Sequence, residues 1–469
     1  MTGCGGGASL GSRKNLLHHL QQQQQHHHHH HQRNLFSIHK RDVGSLEGGS
    51  RESLIAIGST VPGRMRTPNL TEQVSPLIQT QVLDDCFNFG VGQPGPELLQ
   101  KAFDMIKAAS AAAFEDARNS PFLMQYGAVF GPQQYRQAVA DFYSRQTESQ
   151  TSAEEVILTT GISGGIEMMC TSLASPGDVA IVEQPTYFLV RNIFTSLGLE
   201  TLPSPMSPDG SIDLAALSVE LEALKQQGKR ARLLYVVPVH SNPSALCKTR
   251  EEKAGIIKFC KEWEITILAD EVYELLNFGP RSVDSPPFRE LCRDSTVVSL
   301  GSFSKICGPG LRLGWCLAAP EVCQKFRNNG VLSSGGGLNP VVGAIMASAL
   351  DERLMDKLLL NEVCPTLSMK SKALVSAINK HLPGATFHVP EGGYFILLRF
   401  PEDVNATELV EIARSKFSVA YTPGARCLGA PNTARLSFAF YSAEEMEIGV
   451  KRLSEALEFY QKEKNREQG

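Results

Sequence analysis

The chain has 469 residues, 42% hydrophobic and 20% charged, the balance of an ordinary folded protein with room for a large core. Its net charge of -4 argues against a nucleic-acid partner, because neutralising phosphates takes a basic surface. No apolar run approaches the roughly 18 residues that span a bilayer, which argues against a membrane protein.

Eleven cysteines are scattered without a C-x-x-C pair, so free thiols in a reducing compartment are expected rather than a zinc site or a short-spaced disulfide framework. Nine of the twelve histidines lie in the first 39 residues. Only His240, His381 and His388 remain for a histidine-ligated metal or a Ser-His-Asp machine, and no metal is expected.

In chain order, the first element is a tail. Gln21–Gln25 run into His26–His31, and this low-complexity sequence buries too little apolar area to offset its chain entropy. Residues 1–75 are read as a disordered tail. Basic residues and the absence of an acid before Asp42 leave organellar import open. The stretch is serine-poor and lacks a clean amphipathic helix, so a cytoplasmic protein is expected.

Residues 76–118 read as an N-terminal arm and part of a small domain, 119–330 as a large domain, and 331–469 as a smaller C-terminal domain. Val156-Ile-Leu-Thr, Val179-Ala-Ile-Val, Leu233-Leu-Tyr-Val-Val, Ile265-Thr-Ile-Leu-Ala and Thr296-Val-Val-Ser-Leu predict short buried strands, separated by helices such as Arg250 to Trp263. Continuous apolar strands alternating with helices imply an α/β fold with a largely parallel sheet covered on both faces. Later, Ala385-Thr-Phe-His-Val, Tyr394-Phe-Ile-Leu-Leu and Ala434-Arg-Leu-Ser-Phe precede a last helix from Ala443, which is α+β ordering.

Ligands of open α/β sheets bind outside the carboxyl ends of the strands, so the residues just after each run matter most. The first run leads into Thr160-Gly-Ile-Ser-Gly-Gly165 and a helix, a turn able to aim backbone N–H groups at an anion. The third ends in Asn242-Pro243, a common turn by itself. The fourth ends in Asp270-Glu-Val-Tyr273, where a desolvated carboxylate needs a partner. The fifth ends in Gly301-Ser-Phe-Ser-Lys305-Ile-Cys-Gly-Pro-Gly-Leu-Arg312-Leu-Gly314. Hydroxyls and a guanidinium suit a phosphate, and a lysine beside it suits a bound aldehyde.

The 301–314 stretch resembles the Schiff-base lysine signature of class I/II aminotransferases, enzymes of pyridoxal 5′-phosphate (PLP) fold type I. The Asn-Pro turn and the Asp-x-x-Tyr appear in that family's order, and the likeness runs from about 87 to 460. The α-aminoadipate, kynurenine and broad-specificity group is the most similar.

The resemblance implies a seven-stranded, mostly parallel sheet in a large PLP-binding domain, a smaller α+β domain, and transfer of an amino group from an amino acid to a 2-oxo acid. It implies that Lys305 carries PLP and later moves the Cα proton, and that Asp270 holds the ring nitrogen protonated. Asn242 and Tyr273 would meet the cofactor's 3′-oxygen, and Tyr187 would stack on its ring. Ser302, Ser304, Arg312, Ser163 and Gly164 would hold the phosphate, with Tyr126 reaching that of the neighbouring subunit in a homodimer. Arg435 would clamp the substrate carboxylate, near Gly92 and Asn242.

Two departures stand out. Ser244-Ala245 replaces the usual Thr-Gly after Asn-Pro, so a left-handed residue cannot be assumed there. Ile162 stands where a serine is common. Three other readings compete with transamination. Gly90-Val-Gly92-Gln-Pro-Gly95 is a literal G-x-G-x-x-G, but no βαβ unit surrounds it and Pro94 removes a donor. A lyase or synthase of the same fold shares every residue named. A non-catalytic regulator would need an N-terminal winged-helix domain, which the Gln/His tail cannot form.

Overall fold

A computed structural model of the chain describes residues 86–116, 121–335, 337 and 339–468. The predicted tail, and residues 76–85 and 117–118 of the 76–118 segment, lie outside them. The described chain belongs to a single compact unit, Thr67–Gly469.

A two-residue strand, β1 (Phe87–Asn88), opens it. Helix Pro96–Glu115 follows, with Pro96 at its first turn, where a missing N–H costs nothing. The large sheet comprises β2 (Val156–Thr159), β3 (Val179–Val182), β4 (Glu200–Pro203), β5 (Ala231–Val236), β6 (Thr266–Asp270), β7 (Val297–Ser302) and β8 (Gly314–Leu317). Its order is β2-β8-β7-β6-β5-β3-β4, and only β8 runs against the rest. The seven-stranded, mostly parallel sheet is therefore as expected.

All five predicted strand runs form strands. β4 and β8 carried no expectation. β4 is an edge strand of partly exposed residues, so its apolar signal is weak. β8 is four residues long and follows directly on the Lys305 loop. Central strands bury both faces, and helices such as Gly161–Leu173 and Arg250–Glu262 cover them. A capping box between Thr249 and Glu252 starts the latter.

Beyond the sheet come helices Pro340–Asp351 and Cys364–His381, then β9 (Phe395–Arg399), β10 (Val419–Ala420), β11 (Thr422–Pro423) and β12 (Thr433–Ser437). β11, β12 and β9 form an antiparallel sheet, and helix Ala443–Gln468 closes the chain as expected. The predicted 385–389 strand reduces to one bridge, Thr386 with Arg399. β1 pairs with β10, Phe87 opposite Val419, which ties the start of the described chain to its C-terminal part. No helix among the described residues is long and apolar enough to cross a membrane.

Candidate active site

A parallel sheet puts its carboxyl ends along one edge, and there a cavity of about 300 Å³ opens. Gly92, Ser163, Tyr187, Asn242, Asp270, Tyr273, Ser302, Ser304, Lys305 and Arg312 line it. Of the expected residues, Gly164, Arg435 and Tyr126 are missing from its wall. Hollows of about 490 and 940 Å³ around Asn277, Arg281 and Lys372 hold none of the expected residues.

Lys305 leaves β7 just after the strand ends. Its Nζ donates to Gly92 O at 2.6 Å, and Tyr394 Oη donates to the Lys305 carbonyl at 2.6 Å. The side chain has some exposed surface where it faces the cavity, but the amine itself is enclosed by protein. Burial, reinforced by Arg435 and Arg312, drives its pKa down to about 8 against the pull of Asp270. A lowered pKa leaves far more of this amine neutral at pH 7 than of an ordinary lysine, which makes it a better nucleophile.

Asp270 ends β6 and is 3% exposed. Oδ2 accepts from Tyr235 Oη at 2.6 Å and Oδ1 from the Val272 N–H at 3.3 Å. Burial raises its pKa to about 6, partly offset by these bonds and by Lys305. No cation among the described residues forms an ion pair with it, so this buried carboxylate meets the cavity able to accept a cationic N–H.

Opposite lies an anion corner. Helix Gly161–Leu173 points its N-terminus at the cavity, and the Thr160 side chain does not cap it. Gly161 has φ +83°, and a Cβ there would stand 3.1 Å from an Arg312 nitrogen, so glycine lets the guanidinium lie on the turn. Arg312 donates to Thr160 O at 3.0 Å and Pro309 O at 3.1 Å. Ser302 Oγ donates to Ser304 Oγ at 3.0 Å. Helix amides, hydroxyls and a guanidinium on one side, with a carboxylate and an amine beside them, fit PLP in both charge and size.

The family model for aminotransferase class I and II matches residues 84–453. The chain belongs to that family. It is a PLP-dependent transaminase. Aromatic-amino-acid aminotransferase 1 of Thermococcus litoralis is 25% identical over 82% of this chain and 91% of its own length. A multiple substrate aminotransferase from Thermococcus profundus superposes with a TM-score of 0.73 at 25% identity, over 85% of this chain and 96% of its own. The α-aminoadipate aminotransferase of Thermus thermophilus, solved with N-(5′-phosphopyridoxyl)-L-leucine, gives 0.68 at 27% identity, over 80% and 93%.

In this aminotransferase Arg435 sits behind the cavity wall, fully buried. It donates to Asn242 Oδ1 at 3.0 Å, Gly90 O at 2.8 Å and Thr422 Oγ1 at 3.2 Å, while its Nε has no hydrogen-bond partner among the described residues. Burial lowers its pKa, and no carboxylate among the described residues pairs with it. The G-x-G-x-x-G stretch therefore serves the aminotransferase differently: Gly90 O takes Arg435 and Gly92 O takes Lys305. Gly95 caps the following helix where a Cβ would meet Phe440 O at 2.5 Å.

Gly164 lies in the first turn behind the anion corner, where a Cβ would stand 2.1 Å from Thr160 Oγ1. Tyr126 is 80% exposed and outside its own chain's cavity. The Asn-Pro departure has a definite outcome: Ala245 adopts φ +64°, so the left-handed turn is kept without glycine. Ile162 lines the cavity without a hydroxyl, and Ser163 beside it supplies one.

Tyr235, Tyr394 and Phe395 were not expected. Tyr235 lies inside an apolar run and reads as core. Tyr394 and Phe395 begin a predicted strand directly after the glycine pair Gly392-Gly393, and that turn is what could have drawn attention to them.

Proposed function

We propose that Lys305 is the residue that carries PLP and that the enzyme works by ping-pong transfer of an amino group from an amino acid to a 2-oxo acid. The observation behind this is the amine of Lys305, held near pKa 8 in a cavity between a buried carboxylate and an anion-binding helix end. Bound PLP supplies an aldehyde to take up the amino group and a protonated ring that draws electrons from the substrate Cα.

Asp270 keeps the ring nitrogen protonated through its buried charge. Asn242 and Tyr273, which line the cavity, would donate to the cofactor's 3′-oxygen, and Tyr187 would pack against its ring. Ser302, Ser304, Arg312, Ser163 and the Gly164 turn hold the phosphate. Lys305 Nζ would remove the Cα proton of the substrate. Arg435 would orient the substrate carboxylate from behind the wall with Asn242 and the Gly92 segment, and its Nε lacks a partner among the described residues.

A homodimer with shared sites goes with this reading. Met124 is 88% exposed, Tyr126 80% and Phe103 63%, which suits a covered face. Residues 119–330 serve as the PLP-binding domain, and 331–469 with 76–118 as the smaller one. A cytoplasmic setting accords with ten free thiols among the described residues.

Borohydride reduction of the holoenzyme followed by peptide mapping tests the central claim. Label on the Lys305 peptide is expected, and its absence from active enzyme defeats the scheme. A donor panel with 2-oxoglutarate should yield glutamate; pyruvate and ammonia without an acceptor would mark a lyase instead. Light scattering should give a dimer, which Tyr126→Asp weakens.

A further inference from the structure

Among the described residues Asp270 has one side-chain hydrogen-bond partner, and it comes from another strand. Tyr235 on β5 is fully buried and donates to Asp270 Oδ2 at 2.6 Å. Sheet register creates this contact. Tyr235 pairs with Leu268 across the β5–β6 ladder, and residues two apart on a strand share a face. Tyr235, Leu268 and Asp270 therefore project to one side, with tyrosine and aspartate as diagonal neighbours within reach of a long side chain. The ring is anchored edge-on against Phe194 at 6.2 Å and 78°.

We propose that Tyr235 is a positioning residue that locks the Asp270 carboxylate in one orientation and keeps it ionised to receive the cofactor's ring N–H. The proposal rests on the PLP reading above. A carboxylate removed from water keeps its charge only through neighbours that favour the charged form. Lys305, from the loop after β7, favours it, as do the Tyr235 hydroxyl and the Val272 N–H; Glu271 beside it opposes it. Tyr187, from the segment after β3, and Tyr273 also face the carboxylate, and Arg435 acts on both of them. Burial keeps the phenols of Tyr187, Tyr235 and Tyr273 protonated, so Tyr235 remains a donor throughout the working range.

Loss of that hydroxyl lets the carboxyl hold its proton to higher pH. Asp270 already sits near 6 with the bond in place, so without it a growing fraction is neutral just below pH 7 and cannot pair with a cationic N–H. Phenylalanine keeps the ring and its packing.

The full chain, stripped of cofactor, is titrated with PLP between about pH 6 and pH 8.5. Tyr235→Phe is expected to weaken binding about tenfold or more at the acidic end, the scale of a hydrogen bond to a charged group. The gap should narrow as pH rises. Phe194→Leu, which loosens the ring but retains the hydroxyl, should show the same trend by a smaller factor. In an Asp270→Asn background, Tyr235→Phe should add nothing further.

A ratio to wild type near one, or an equal loss at every pH in either variant, overturns the proposal, since a merely structural tyrosine gives no pH trend. Should Tyr235→Phe fail to fold, the pH trend of Phe194→Leu decides alone. Wild-type protein that binds no PLP sinks the cofactor reading instead, an outcome distinct from both.

Discussion

Replacing Lys305 by methionine removes a buried cationic amine and keeps a side chain of similar reach. The amine's pKa falls from its ordinary 10.5 to about 8, chiefly through burial and then through Arg435. Each tenfold change in proton affinity is worth about 1.4 kcal/mol, so holding this lysine charged costs the cofactor-free fold about 3 kcal/mol at pH 7. The bond to Gly92 O returns about 1 kcal/mol, which leaves Lys305→Met about 2 kcal/mol more stable.

The pH dependence has a definite sign. Between pH 8 and 10.5 the unfolded chain holds the proton that the native amine has released, so wild-type stability rises with pH across that window. Below it the full penalty is present. Urea unfolding of both cofactor-free proteins, at equal concentration and at pH 7 and about pH 10, reads the difference while other titrating groups cancel. The advantage of Lys305→Met should fade or reverse at the higher pH, and its transamination should be lost. A variant less stable than wild type at pH 7, or a gap indifferent to pH, refutes the reasoning.

With the roles proposed above, Asp270→Asn would leave the cofactor's cationic nitrogen without its partner and should lower kcat/KM by about two to four orders of magnitude, from the about 3–5 kcal/mol at stake when a buried charge loses its partner; steady-state assays at saturating PLP check it. Arg435→Gln should raise KM for the amino donor at least about tenfold with a smaller change in PLP affinity, since a planar fork for carboxylate is what it removes. Gly301→Ala drives a Cβ to 2.2 Å from the buried Trp315 ring and should cost about 1–3 kcal/mol in thermal unfolding. Ala245→Gly relieves a left-handed alanine and should be neutral or stabilising by up to about 1 kcal/mol, where the same change elsewhere destabilises.

Much of the site could be read before any coordinates. Lys305, Asp270, Asn242, Tyr273 and Arg312 each follow a buried strand, and a parallel sheet gathers such positions along one edge whatever the details of packing. The anion corner was readable for the same reason, because a glycine turn between strand and helix presents amides regardless of what surrounds it. Edge strand β4 is faint in the sequence because partly exposed residues carry little apolar contrast, and β8 because it follows directly on a glycine-rich loop with no α-helix between it and β7.

Chain order and local composition alone determined the fold class and the family to which the aminotransferase belongs, and put Lys305 in a serine- and glycine-rich loop just past a buried strand. Those depend on which residues follow which, and the sequence states that directly. Tertiary structure decided the rest. That Tyr235 meets Asp270 depends on the register of β5 against β6, and a shift of one residue would turn the tyrosine to the opposite face. That Lys305 sits near pKa 8 depends on burial and on Arg435, 130 positions later in the chain. Burial and distance between remote residues are properties of packing, so no local pattern announces them.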